Sequence, residues 1–406
     1  MAVATMFTGT IRRHRHVSHA AVNSFSSAFF IQSIKVSSLR QPLTSFRQRF
    51  CSLAASANSA IDGCSRQFTW DEVFRSCDSI QNDSVDLEGY FDKIRLCNRN
   101  SEKKCEFMPF VIEDQIVGYV HSRFADHLRR FKDIFVFQKD NNFGGNFRYH
   151  ISLHSELRTV ADRTRAVADV VKSLGEELIP GIRNELYPVT SSHGGPVFFS
   201  LERAAAPYFG IKAFGVHMNG YLEQEGQKYL WVGKRSKVKP TYPGMLDHLV
   251  AGGLPHGISC EENIVKECEE EAAIPSSISR KAVPVGAVSY MDINGQRFKR
   301  DVLFCYDLKL PKDFVPKNED GEVESFKLVP VTDVAKIIRS TDFYKANCNL
   351  VVIDFLFRHG YAILYRICLA LSFFSFQLWE PRNSHFTHNH YILFQKSENY
   401  AVTDAC

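Results

Sequence analysis

The sequence has no C-x-x-C pair among its 11 cysteines. That spacing suggests neither a zinc site nor a disulfide framework, and a reducing compartment fits such cysteine usage. Asp and Glu are absent from residues 1–61, which carry seven basic residues (Arg12, Arg13, Arg15, Lys35, Arg40, Arg47 and Arg49) and eleven Ser. An Arg-rich, Ser-rich, acid-poor leader has the composition of an organelle transit peptide. Residues 1–60 are expected to be one, processed near residues 50–60; an ordinary disordered tail is the alternative. Setting those seven aside from 49 Lys and Arg leaves 42 against 45 Asp and Glu, a net of −3. The remainder is not basic, so no electrostatic case for nucleic-acid binding remains. An unbroken membrane-length apolar run is also missing. The strongest candidate, Ala362–Leu378, contains Arg366 and Gln377 and is short for a membrane span.

At 406 residues the chain has room for two domains. Residues 66–190 read as an α+β domain: Trp70–Ile80 and Leu87–Leu96 look helical, and Phe107–His121 alternates like a strand. Ser122–Phe131 looks like a basic amphipathic helix. Ser155–Leu178 is the clearest helix, with Ser155 as its cap and apolar residues at Leu157, Val160, Val167, Val170, Val171 and Leu174. No catalytic constellation appears here, so this part is expected to wall or cover a substrate pocket, or to be purely structural. Tyr187–Gly195 reads as a linker and Ser200–Phe209 as a short helix.

The second domain, 195–360, alternates strands and helices. Lys212–Leu222 and Tyr229–Arg235 form a hairpin, Met245–Ala251 is a strand, and Val285–Asp292 with Arg297–Leu308 form a second hairpin around Asn294–Gly295. Glu322–Val329 is a strand, followed by helices at Val334–Ile338 and Asn347–Arg358. Residues 361–406 change character and read as an atypical tail. Its segment HFTHNHY, 385–391, is histidine-rich without a visible scaffold for a metal.

One stretch organises the rest: GGLPHGISCEENIVKECEEEAAI, Gly252–Ile274. Gly252, Gly253 and Gly257 make a turn around Pro255, and a helical pattern follows. Ile264, Val265, Cys268 and Ala272 gather on one side, while Glu267, Glu270 and Glu271 project together from another. Glu269 points away. Three carboxylates on one face repel each other, and a divalent cation with a preference for hard oxygen ligands reverses the sign of that term. A solvated acidic face is the bland alternative.

The combination resembles the Nudix box, G-x5-E-x7-R-E-U-x-E-E-x-G-U with U aliphatic. Gly252 takes the first glycine, Glu267, Glu270 and Glu271 the metal-binding glutamates, and Cys268 and Ile274 aliphatic positions. Three positions depart: Ile258 for the first glutamate, Lys266 for the arginine and Ala273 for the last glycine. With the flanks LERAAAPYFGIKAFGVHMNGY and LWVGKRSKVKPTYPGMLDHLVAGG, the chain looks like the plant and fungal Nudix subfamily related to thiamine pyrophosphokinase proteins, over roughly residues 110–360. The resemblance implies an α+β chain: a mixed-sheet α/β/α sandwich preceded by a smaller α+β domain. It also turns the leader reading toward the chloroplast.

The activity so implied is Mg²⁺- or Mn²⁺-dependent hydrolysis of a small organic diphosphate to a monophosphate, with thiamine diphosphate or its damaged derivatives as substrate. Nucleoside diphosphate derivatives such as ADP-ribose or dinucleotides are the alternative. A non-catalytic diphosphate-sensing module and an isoprenyl diphosphate isomerase are readings of other kinds; the isomerase needs a pocket cysteine, and Cys260 and Cys268 are poorly placed for it. Glu267, Glu270 and Glu271 are expected to hold the metal; the general base is one of these box glutamates or, from outside the box, Glu324 or Glu322. Arg235, Lys239 and Lys266, with Lys234 and Lys237 nearby, are candidates for the substrate phosphates, a solvated basic turn being the alternative. Tyr208, Phe209, Phe214 and Tyr221 offer aromatic surfaces for a flat substrate, unless they are core. His217, His248 and His256 read as core or turn residues, His256 alone lying in the glycine loop. Oligomeric state is not encoded in any of these features.

Overall fold

The computed structural model describes residues 67–79, 87–139 and 149–361, together with two short strands at 376–378 and 393–395. The expected leader, 1–60, the histidine-rich segment 385–391 and most of the tail lie outside the described residues.

Helix α1 (Trp70–Ser79) is started by Thr69 and Glu72, each side chain accepting the other's backbone N–H. This satisfies donors that a helix start leaves unpaired. Helix α2 (Glu88–Cys97) follows. Their buried residues Val73, Cys77 and Tyr90 pack with Val334, Ile337 and Ile353, near the other end of the described chain. These first two helices therefore share a core with the 195–360 region.

After a 3₁₀ turn at Ser101–Glu106, the alternating stretch Phe107–His121 makes two strands rather than one. Glu113 (φ 48) and Asp114 (φ 59) take left-handed backbone and fold β1 (Phe107–Ile112) against β2 (Gln115–His121). Alternation reports only the period, and this turn carries no glycine to mark it. Helix α3 (Ser122–Leu128) leads to β3 (Phe135–Lys139) and β4 (Tyr149–Leu153), completing a sheet in the order β2-β1-β4-β3. Helix α4 (Val160–Leu178) joins this core through Val167, Val170, Val171 and Leu174. Its cap is Thr159, which accepts from Asp162 N at 3.1 Å, so the helix begins later than Ser155.

The expected linker Tyr187–Gly195 lies partly in a strand. β5 (Leu186–Val189) pairs antiparallel with β6 (Phe199–Glu202), burying Tyr187 and Val189. The helix expected over Ser200–Phe209 shrinks to a 3₁₀ turn at Arg203–Ala205 and α5 (Ala206–Phe209), closed by Gly210 at φ 56. A Cβ on Gly210 would stand 2.2 Å from the Tyr119 carbonyl oxygen, so β2 and α5 meet backbone to backbone.

β7 (Lys212–Gln224) and β8 (Gln227–Arg235) form a hairpin through Glu225 (φ 53) and Gly226 (φ 78). Then come β9 (Leu246–Asp247), β10 (Val250–Gly253), α6 (Cys260–Ala272) and α7 (Ser276–Ser279). The hairpin β11 (Val283–Asn294) and β12 (Arg297–Lys309) precedes β13 (Val323–Pro330), α8 (Val331–Ser340) and α9 (Ala346–Arg358). The strands β14 (Phe376–Leu378) and β15 (Leu393–Gln395) end the series. The large sheet runs β13-β8-β7-β12-β11-β15-β14, with β10 on β7 and β9 on β8. It is mixed: β7 and β12 are parallel, whereas β7–β8 and β11–β12 are antiparallel.

Strand alternation gives this sheet two apolar faces. Val216, Met218, Tyr306 and Leu308 pack with Ile264, Cys268 and Ala272 of α6. Leu303 and Cys305 pack instead with Leu350 and Val351 of α9. Helix α6 therefore covers one face and α9, with α8, α1 and α2, the other. Each fully buried aliphatic side chain contributes about 1.5–3 kcal/mol, enough to fix α6 to the strand that carries the glycines. The result is an α/β/α sandwich joined to a smaller α+β region.

Candidate active site

Helix α6 starts at a capping box: Ser259 Oγ accepts from Glu262 N at 3.1 Å, and Glu262 Oε2 accepts from Ser259 N at 3.0 Å. It stops at Ala273, whose φ of 53 is the left-handed conformation that favours glycine at a helix end. Between these ends the expected glutamate trio is divided. Glu267 lies against β10, where a Cβ on Gly252 would stand 2.2 Å from its Cδ. Gly252 is needed for that close approach. Glu271 accepts from Ala251 N at 2.8 Å, so both glutamates are tied to the same strand. Glu270 points outward and pairs with Lys266, Nζ to Oε2 2.6 Å, in an i, i+4 contact. Lys266 also lies 3.6 Å from Glu267. Glu269 is exposed.

Burial raises the pKa of Glu267, opposed by Lys266 and helped by Glu270. Burial pushes Glu271 well above its ordinary range, although the Ala251 N–H works in the other direction. Carboxylates held under such strain are an incomplete electrostatic arrangement. One oxygen from each of Glu271, Asp320 and Glu322 lies within 4.8 Å of the others. Asp320 was missed from sequence; it sits in a loop before β13, where only the D-x-E spacing to Glu322 hinted at it. Three hard oxygen donors around an enclosed carboxylate fit a divalent cation of the Mg²⁺ or Mn²⁺ kind.

Glu322 and Glu324 diverge. Glu322 forms an ion pair with Lys239, while its backbone carbonyl accepts from Ser236 N at 2.8 Å. Pairing with β8 shifts register between Val323 and Ser325, leaving Glu324 at the irregularity. Glu324 meets Lys234, whose Nζ is 3.2 Å away and which is itself buried. The structure thus brings Glu322, rather than Glu324, to Glu271.

Of the candidate phosphate ligands, Lys239 and Lys266 border the carboxylates. Arg235 is otherwise engaged: it donates to Asp247 at 2.7 Å and to the carbonyls of Thr241 and Tyr242. Those bonds brace the PTYPG turn, where Tyr242 (φ 52) and Gly244 (φ 72) are left-handed. Gly253 approaches Tyr187, whose hydroxyl would lie 2.1 Å from an added Cβ, and Asn263 Nδ2 donates to the Gly253 carbonyl at 2.8 Å. Gly257, at φ 92, turns the loop into α6. His256 is held by Ser200, Nδ1 to Oγ 2.6 Å, and its N–H donates to the Leu186 carbonyl. Leu186 and Tyr187 of β5 and Ser200 of β6 therefore anchor the glycine loop, Tyr187 alone coming from the expected linker.

The aromatic candidates separate similarly. Phe209 is core, Tyr208 packs on Phe124, and Tyr221 packs on Phe355 and His359. Phe214 stacks on Phe304 at 6.2 Å and touches His193, and its carbonyl accepts from Leu254 N beside the glycines.

A NUDIX domain model matches residues 214–346, and a second model, described as a domain of unknown function (DUF4743), matches residues 89–213. Nudix hydrolase 20, chloroplastic, of Arabidopsis thaliana is 64% identical over 298 residues, covering 73% of this chain and 79% of that protein. Nudix hydrolase 24, chloroplastic, of the same plant is 58% identical over 299 residues, covering 73% and 80%. The chain shares their chloroplast assignment. On the extent of these matches, and with its glycine strand and acidic helix in place, the chain belongs to the Nudix hydrolase family.

Proposed function

We propose that the chain is a Mg²⁺- or Mn²⁺-dependent pyrophosphatase that cleaves an organic diphosphate to its monophosphate, with thiamine diphosphate or its oxidised derivatives as the substrate class. The observation that carries the reading is the convergence of Glu271, Asp320 and Glu322 beside the glycine strand. Glu271 and Asp320 of that group, with Glu267 beside Gly252, would hold the cation, and the third member, Glu322, stands next to them. A bound divalent cation supplies neutralisation of diphosphate charge and a lowered pKa for coordinated water. Glu322 is the group we assign to accept the proton of the attacking water, and Lys239 stands beside it in an ion pair. Lys239 and Lys266 supply positive charge at the phosphate end. The stacked Phe214 and Phe304 beside Leu254 support a flat ring system on the substrate.

Glu322→Gln is expected to lower kcat by roughly 10²–10³-fold, the usual contribution of a general base. Glu324→Gln removes the partner of buried Lys234, so it should lower the urea midpoint while kcat stays within about threefold. The reverse ranking in steady-state kinetics rejects the assignment of Glu322.

Substrate class is tested separately with the purified enzyme. Oxidised thiamine diphosphate should exceed ADP-ribose in kcat/KM. A tenfold preference for ADP-ribose, about 1.4 kcal/mol at the transition state, removes the thiamine proposal and leaves diphosphate hydrolysis standing.

A further inference from the structure

The face of the large sheet opposite α6 carries a second group of potential ligands. His217 belongs to β7, His248 lies between β9 and β10, and Cys348 is in the first turn of α9. All three are buried. One ring nitrogen from each histidine and the Cys348 sulfur lie within 4.8 Å of one another. The two imidazoles are edge to face, their centroids 5.0 Å apart. Among the described residues, His217 Nδ1 and His248 Nε2 have no hydrogen-bond partner, although neither reaches solvent. Buried ring nitrogens normally find a partner, and two orphans beside one thiol need an explanation.

We propose that His217, His248 and Cys348 form a buried site for one soft divalent cation, zinc by ligand chemistry, which pins the start of α9 beneath the glycine strand. Imidazole nitrogen and thiolate sulfur are the donors that zinc takes in closed structural sites. Binding forms Zn–N and Zn–S bonds, and the Cys348 thiol proton passes to solvent. Asp247 Oδ1 accepts from the Cys348 thiol at 2.7 Å, so the proton to be released already has an acceptor beside it. The sequence hides such a site because its donors come from three separate elements with none of the paired spacing of a zinc motif. Its reach is direct: Ala251, three residues after His248, pairs with His217 across the β7–β10 ladder and donates to Glu271.

The test uses the full chain, loaded with Zn²⁺ and dialysed against excess Mg²⁺ to displace zinc from the acidic site. Elemental analysis should find about one zinc per chain in wild type and in Glu271→Gln, and below about 0.2 in Cys348→Ser. The cobalt-substituted wild type should show a thiolate-to-cobalt charge-transfer band. That spectrum needs no variant, so a misfolded Cys348→Ser leaves a decisive reading. Wild type without stoichiometric zinc, absence of the cobalt band, or zinc that follows Glu271 instead of Cys348 overturns the proposal. The last outcome leaves the hydrolase reading intact.

Discussion

Glu271→Gln should cut kcat by roughly 10³-fold, about 4 kcal/mol of transition-state stabilisation, while making the metal-free protein more stable at pH 8. Both effects arise from the same burial. The carboxylate is held well above its ordinary pKa by desolvation, and Glu267, Asp247 and Glu322 add to that shift. Between the unfolded and folded pKa values the native state therefore binds more protons than the unfolded chain. Stability falls as pH rises through that window, starting near pH 4.5, and the penalty is complete above the folded pKa. Glutamine has no proton to lose and its carbonyl can still accept from Ala251. Thermal melts of chelated protein should show the variant ahead at pH 8 and level with wild type below about pH 4.5. Adding Mg²⁺ should reverse the order, because only wild type keeps the anionic ligand. Exposed Glu269→Gln is the control and should change neither measurement. A variant that stays active, or is no more stable without metal, removes Glu271 from the role assigned to it.

Asp247→Ala should cost about 3–5 kcal/mol in urea unfolding, the usual result of leaving buried cations without their partner. Asp247 receives Arg235 at 2.7 Å, Lys345 at 3.2 Å, Cys348 at 2.7 Å and the His248 N–H at 2.9 Å. Although burial opposes its ionisation, Lys345 and Arg235 hold its pKa well below the carboxylate range. Removing the carboxylate strands two cations whose side chains are 12% and 17% exposed. The contrast is Glu223, whose partner Lys309 is 60% exposed; Glu223→Ala should leave the urea midpoint nearly unchanged. Similar losses at the two positions would mean that Asp247 is not the hub its contacts indicate.

The glycine turn and the acidic helix were legible because their information is local. Capping, a 3.6-residue period and a glycine turn sit within 23 consecutive residues, Gly252–Ile274, and each acts over one or two helical turns. Hairpins turned by glycine were legible for the same reason. What sequence did not reveal depends on where a side chain ends in space. Arg235 lies in a basic run suited to phosphate, yet Asp247 takes it. Glu324 and Glu322 look equivalent, and only the register shift on β13 parts them. Asp320 joins Glu271 from a loop, and Tyr187 reaches Gly253 from a strand too short to stand out from its polar surroundings. The helical wheel put Glu270 beside Glu271, but Lys266 one turn earlier draws it outward.

The two family models meet between residues 213 and 214, inside strand β7. Recombining this protein at that seam would divide one continuous hydrogen-bonded ladder, since Ala213 pairs with Asp301 and Phe214 with Val302 on the same partner strand. The clasp at Gly210, where Arg300 of β12 donates to its carbonyl at 3.1 Å, would fall to the other fragment. The first half also takes with it Tyr187 and Ser200, which brace the glycine loop of the second. A bare catalytic module cut at residue 214 would thus inherit a sheet with a shortened strand and an unsupported loop. The workable unit of exchange among relatives is the pair of regions together, so shuffling would have to carry both as one heritable block.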